Sequence, residues 1–194
     1  MDINLIIFAS GSGSNAEQIV NHFANHPSIK VSAIFANKPE AYVLERAKNL
    51  GIPSEIFNRE EFKSSEFLNH IEKYNAHMIV LAGFLWKIPQ YMIDAFPDKI
   101  INIHPALLPK YGGKGMFGHF VHEAVIANNE KESGITIHFV NENYDEGEHL
   151  FQAKCSVEKN DTPDTLASRI HKLEHEHFPK VIEEYVITLY ESNQ

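Results

Sequence analysis

Asn102 and His104 stand two residues apart in Ile100-Ile101-Asn102-Ile103-His104-Pro105. Side chains alternate along a strand, so this spacing puts both on one face. The Asn amide can donate to an oxygen that gains negative charge. The His imidazole can move a proton near neutral pH. Together they suit addition to a carbonyl, where a tetrahedral oxyanion forms. The same pair can do no more than tie down a turn, and the spacing alone leaves both readings open. A third group lies downstream in Asn141-Glu142-Asn143-Tyr144-Asp145-Glu146-Gly147. The Asp145 carboxylate, in a turn beside a glycine, can orient an imidazole and raise its pKa.

The elements that must position these groups read as a parallel α/β pattern. Ile100, Ile101 and Ile103 mark a buried strand that Pro105 stops. It delivers Asn102 and His104 to a strand's carboxyl end, the edge where open parallel sheets bind ligands. The apolar run Asn4–Ala9 is a first strand. The turn Ser10-Gly11-Ser12-Gly13-Ser14-Asn15 comes next, and a helix opens at Ala16. Strand, glycine-rich turn and helix make a phosphate-binding arrangement, because the first N–H groups of the helix point at an anion. The second strand, Lys30–Asn37, ends in Asn37, Lys38 and Pro39. A nicotinamide dinucleotide site wants an acid there, so a mononucleotide phosphate is the better ligand for the turn.

Further strands are expected at Ile52–Phe57 and Met78–Phe84, with helices at Glu40–Leu50 and Glu60–Tyr74. Met78–Phe84 is continuously apolar, the mark of a central parallel strand. Trp86, just beyond it, either caps the core or walls a flat heteroaromatic ligand. The segment after Pro109 carries Gly112, Gly113, Gly115 and Gly118, which reads as a mobile loop and a plausible lid. A helix spans Phe117–Asn128. Ser133–Val140 and His149–Val157 pair as an antiparallel hairpin around the Asp145 turn. A last helix starts at Thr162-Pro163, is perturbed at Pro179 and resumes to Tyr190. The fold class is α/β, a doubly wound Rossmann-like, mostly parallel sheet with a C-terminal antiparallel hairpin and a long C-terminal helix. Residues 1–194 read as one domain.

The stretch INIHPALLPKYGG, with YDEG downstream and Gly13-Ser14-Asn15 near the start, resembles phosphoribosylglycinamide formyltransferases (glycinamide ribonucleotide transformylases) of the folate-dependent formyltransferase family. The resemblance implies formyl transfer from 10-formyltetrahydrofolate to the amine of 5'-phosphoribosylglycinamide, in purine biosynthesis. It makes Asn102, His104 and Asp145 the catalytic set. It assigns the substrate phosphate and ribose to Gly13, Ser14, Asn15, His171 and Glu174. It assigns the folate to Leu85, Trp86, Lys87, Ile88, Asn102, Asn141, Glu142, Asn143 and Tyr144. The family's folate-contacting Arg has no clear counterpart; Lys63 is one candidate. A formyltetrahydrofolate hydrolase and a non-catalytic Rossmann-like nucleotide-binding module are the alternatives.

Composition narrows the class further. An apolar share of 43% is that of a globular chain. A net charge of −9, from 17 basic and 26 acidic residues, argues against nucleic acid as main partner. No apolar run approaches the roughly 18 residues that span a bilayer, and the N-terminus has no basic segment of a signal peptide. The single Cys155 excludes an internal disulfide, which fits the cytoplasm, and it reads as structural. His119 and His122 are three apart, but no third ligand accompanies them, so no metal is expected. His70 and His77 read as surface residues, His138 as a core imidazole and His175 and His177 as solvated. Monomer and homodimer stay open.

Overall fold

Ile3–Ala9 form β1, and every side chain along it is buried. Such a strand must be covered on both faces, which suits the centre of a parallel sheet. The computed structural model describes residues 2–191 and falls into two units, Met1–Asn102 and Ile103–Gln194.

In the first unit β1 is followed by α1 (Ser14–Phe23), β2 (Ile29–Ala36), α2 (Val43–Asn49) and β3 (Ser54–Ile56). Helix α1 buries Ala16, Ile19, Val20 and Phe23, the stripe a 3.6-residue period gives. The next elements are α3 (Arg59–Lys63), a 3₁₀ turn (Ser65–Phe67) and α4 (Leu68–Glu72). The single helix expected over Glu60–Tyr74 is therefore broken. The break lies at Ser64, whose backbone is extended and whose hydroxyl accepts from the Glu66 N–H. A serine that satisfies a nearby N–H starts a new turn rather than continuing the old one. Asn58 opens α3 with a reciprocal cap to Glu61. Strand β4 (Met78–Leu81) and a short helix α5 (Gln90–Ala95), which the sequence pattern did not mark, lead to β5 (Ile100–His104). β1 pairs in parallel with β2 and β4, β2 with β3, and β4 with β5.

The core of this unit is aromatic. Phe8 stacks on Phe35 with ring centroids 5.1 Å apart. Phe57 and Phe67 meet at 4.9 Å, and Phe62 and Phe84 at 5.5 Å.

The second unit holds α6 (His119–Ala127), β6 (Glu132–Phe139), β7 (His149–Ser156) and α7 (Pro163–Glu191). β6 and β7 pair antiparallel, as expected, with a register shift between Ile137 and His138. Helix α7 runs through Pro179 without the expected interruption. Proline has helical φ and forfeits one N–H, while buried Phe178, Val181 and Ile182 hold the helix on both sides of it. The strand order is β3-β2-β1-β4-β5-β6-β7: a mostly parallel α/β sheet with a C-terminal antiparallel pair and a long terminal helix.

Candidate active site

His104 is the last residue of β5, and Pro105 ends the strand directly after it. One buried hydroxyl fixes the chain from Pro105 to Pro109. Thr136 Oγ1 on β6 donates to the Ala106 carbonyl at 2.7 Å and accepts from the Leu108 N–H at 3.0 Å. Gln152 on β7 donates from Nε2 to that hydroxyl and to the Leu108 carbonyl, at 2.8 and 3.1 Å. β6 and β7 thus satisfy the polar groups of this segment, which sets where the chain leaves the strand.

His104 is 4% exposed. Its Nδ1 lies 3.5 Å from Asp145 Oδ2, so the pairing expected from the sequence forms. Its Nε2 donates to the Tyr111 carbonyl at 2.7 Å. Asp145 Oδ2 also accepts from the Gly113 N–H at 2.9 Å, and Oδ1 lies 3.6 Å from His138 Nε2. Burial pushes the His104 imidazole below its ordinary value; the Asp145 charge and the Tyr111 carbonyl oppose this only in part, and His138 adds to it. The Asp145 charge raises the imidazole as expected, and loss of water outweighs it. Burial also pushes the Asp145 carboxyl up, but His138, the His104 charge and the Gly113 N–H together hold it below its ordinary value.

The glycine-rich loop is more firmly held at its start than its composition implies. Tyr111 has φ +58°, and its hydroxyl and Lys110 Nζ both donate to Glu130 Oε1 at 2.9 Å. A Cβ on Gly112 would lie 2.5 Å from Leu108 Cδ2 and 3.2 Å from Asp145 Cβ. Glycine there serves close approach, not mobility.

The same unit holds a histidine group that the sequence presents as a weak metal motif. His119 is half exposed and pairs with Glu123 and Asp164 at 3.3 and 3.6 Å. His122 is 3% exposed, and its Nδ1 has no hydrogen-bond partner. Burial, then His171, His119 and His104, push it down to about 4, so it is neutral at physiological pH. Among the described residues no group of three or more metal-ligating side chains forms. On α7, Glu174 is buried and His171 exposed, its ring stacked 6.3 Å from that of His175. In the turn before Asp145, the Asn143 N–H donates to Asn141 Oδ1 at 2.9 Å, while Glu142 and Tyr144 are exposed.

In the first unit, Asn102 stands in β5 at the register of Leu81 and is half-buried. The turn before α1 is braced from several directions. Ser10 Oγ accepts from the Leu85 N–H at 3.0 Å, and the Gly11 carbonyl from the Val43 N–H at 3.1 Å. Arg46 donates to the Ser12 carbonyl at 2.9 Å and pairs with Glu17. Gly13 caps α1 at φ +74° with no side-chain cap hydrogen bond, at the end of the helix where backbone N–H groups point outward. Asn37, where a dinucleotide site wants an acid, is a buried amide.

Leu85 and Lys87 are exposed and Ile88 is buried. Trp86 packs against Phe57, Phe62 and Phe84 at 5.8 to 6.1 Å and remains half exposed, so it both caps the core and offers a face. Over that indole, 5.4 Å from the ring centroid, lies the Arg59 guanidinium. Sequence reading overlooked Arg59 in favour of Lys63, which is exposed. A cation at the start of α3 and an aromatic after β4 give no sequence signal of their contact. His70 and His77 are also more than surface residues: His70 pairs with Glu55 at 2.8 Å, and His77 Nδ1 accepts from the Asn4 N–H at 3.1 Å.

Residues 3–182 match the formyl transferase family. The chain is 40% identical over 186 residues to a protein of Arabidopsis thaliana named phosphoribosylglycinamide formyltransferase, chloroplastic, with 92% of this chain and 63% of that protein covered. It is 34% identical to the phosphoribosylglycinamide formyltransferase of Bacillus subtilis, covering 92% of each. The crystal structure of that enzyme from Bacillus halodurans superimposes with a TM-score of 0.85 at 32% identity, covering 94% of this chain and 95% of the other. The chain spans less than two thirds of the length of the two plant relatives, 63% and 59%.

Proposed function

The chain belongs to the formyl transferase family, and we propose that it transfers a formyl group from 10-formyltetrahydrofolate to the amine of 5'-phosphoribosylglycinamide. The observation that carries this reading is His104 held at 3.5 Å against Asp145 at the end of a strand that also bears Asn102. The acceptor amine attacks the formyl carbon. The Asn102 amide and the His104 imidazole stabilise the resulting oxyanion. His104 is held down by burial at rest, so it takes the proton that the attacking amine loses as the oxyanion develops, with Asp145 as counter-ion. A proton then reaches the departing folate nitrogen, through His104 or a water. These steps need no metal and no covalent enzyme intermediate.

The Gly13-Ser14-Asn15 turn takes the acceptor phosphate, which the uncapped start of α1 supports. His171 and Glu174 contact the ribose. Leu85, Trp86, Lys87, Ile88 and the Asn141–Tyr144 turn bind the folate, and Arg59 takes the part of the family's arginine. The family match spans both units, which supports residues 1–194 acting as one formyltransferase domain. The free Cys155 is consistent with a reducing compartment, and we place the enzyme in the cytoplasm.

The test is formyl transfer measured with and without phosphoribosylglycinamide. Formylated acceptor, with no formate released in its absence, is the expected result. Formate without acceptor would identify a hydrolase, and binding without turnover a nucleotide-binding module.

A further inference from the structure

Asp145 faces two imidazoles, and only one of them takes part in the proposed transfer. The other is His138, near the end of β6, which is 2% exposed. Its Nδ1 donates to the Phe139 carbonyl at 2.8 Å, and its Nε2 lies 3.6 Å from Asp145 Oδ1. The seat is built by the backbone. The β6–β7 register shifts between Ile137 and His138, and such bulges re-aim side chains beside active sites. A Cβ on Gly147 would lie 1.7 Å from the Phe139 carbonyl oxygen and 3.5 Å from His138 Nδ1, so only glycine lets the turn close over this ring.

The hydrogen-bond chemistry of the two rings is the same. A carbonyl oxygen only accepts, so the nitrogen facing it must carry hydrogen. In His104 that nitrogen is Nε2, and in His138 it is Nδ1. The remaining nitrogen of each ring then bears hydrogen only when the ring is charged. Both remaining nitrogens face Asp145, one on each oxygen. Two rings therefore compete for one carboxylate.

We propose that His138 is a positioning residue for the reaction: when charged it holds Asp145 Oδ1 while His104 faces Oδ2, and so it sets how readily His104 takes a proton. The inference rests on the reading of His104 and Asp145 as reaction groups. The titratable groups acting on this cluster are Asp145 itself, His104 on β5, His138 on β6 and His122 on α6. Removing His138 leaves Asp145 undivided and lifts the pressure of a second imidazole on His104.

The experiment is a side-chain NMR titration of His104 in the full chain, in wild type and two variants. His138→Asn keeps an amide donor for the Phe139 carbonyl but does not reach Asp145. His138→Gln places a neutral donor near the site of Nε2. The His104 midpoint is expected to rise by about half a pH unit or more in His138→Asn, and by less in His138→Gln. An unmoved His104 midpoint in folded His138→Asn would overturn the proposal, as would equal shifts in both variants. The titration does not depend on turnover. Absence of formyl transfer in wild type would therefore overturn the functional reading while the His104–His138 coupling is still measured.

Discussion

His104 sits under two opposed influences, and their balance decides what it can do. Burial favours the neutral ring, and Asp145 favours the charged one; burial is the larger. An imidazole that is neutral at rest and charged only opposite an oxyanion contributes mainly in the transition state, where binding raises kcat. Asp145→Asn keeps the shape and removes the counter-charge, so the His104 midpoint should fall further. The loss expected in kcat is about a hundred- to a thousand-fold, the range for one oxyanion donor, with the KM of both substrates changed much less. Comparable rises in KM would contradict this role. The His104–Asp145 pairing was legible because a carboxylate in a turn and a strand-end imidazole suggest it without a fold. The Tyr111 carbonyl on His104 and the second imidazole on Asp145 were not. They depend on a positive φ and on a bulge that no local pattern announces.

At the scale of elements, the proposed acceptor phosphate site is the start of α1. Gly13 is a poor place to test it: a Cβ there would lie 2.3 Å from Val43 Cγ2 at φ +74°, so a substitution disturbs packing and backbone together. Ser14 is cleaner, being half-buried in the first turn. Ser14→Ala should raise the acceptor's KM several-fold and leave the folate's unchanged; equal changes in both would remove the phosphate from this turn. The start of α7 is held differently. Asp161 accepts from Arg169 at 2.7 and 3.1 Å, from the Glu158 N–H at 2.7 Å and from Thr165 at 2.8 Å. The Arg169 guanidinium, with the Glu158 N–H and Thr165, holds its carboxyl well below the usual range. A depressed carboxylate stabilises the fold above its unfolded value, about 3.9, and that contribution disappears as pH falls through the folded value. Asp161→Asn should lower Tm near neutrality, and the difference from wild type should shrink in strong acid. A difference that does not vary with pH would mean the charge is not what matters. Strands and their order of appearance were readable from apolar runs. The break at Ser64 and the continuity through Pro179 were not, because a local serine bond decides the first and tertiary packing the second.

For the molecule as a whole, a charge of −9 offers the anionic acceptor proposed for it no long-range attraction. Its recognition must be local, as a helix start and individual hydrogen bonds are. Six phenylalanines, Phe8, Phe35, Phe57, Phe62, Phe67 and Phe84, gather in one cluster on which Trp86 rests. Each was visible as an apolar position, but their meeting was not, since they come from separate strands, turns and short helices. Phe67 is 2% exposed. Phe67→Ala should cost about 3 to 5 kcal/mol in denaturant unfolding. A cost under about 1 kcal/mol would mean the cluster repacks freely.

The central claim is that His104 and Asp145 act as one unit in formyl transfer, and a double-mutant cycle on kcat tests it most directly. His104→Ala and Asp145→Asn are measured singly and together, with saturating donor and acceptor. Groups that work through one another lose their function once. Either change is expected to cost a similar factor, and the double variant should be little worse than either alone. Losses that simply multiply would contradict the claim, because two residues at 3.5 Å would then be acting independently.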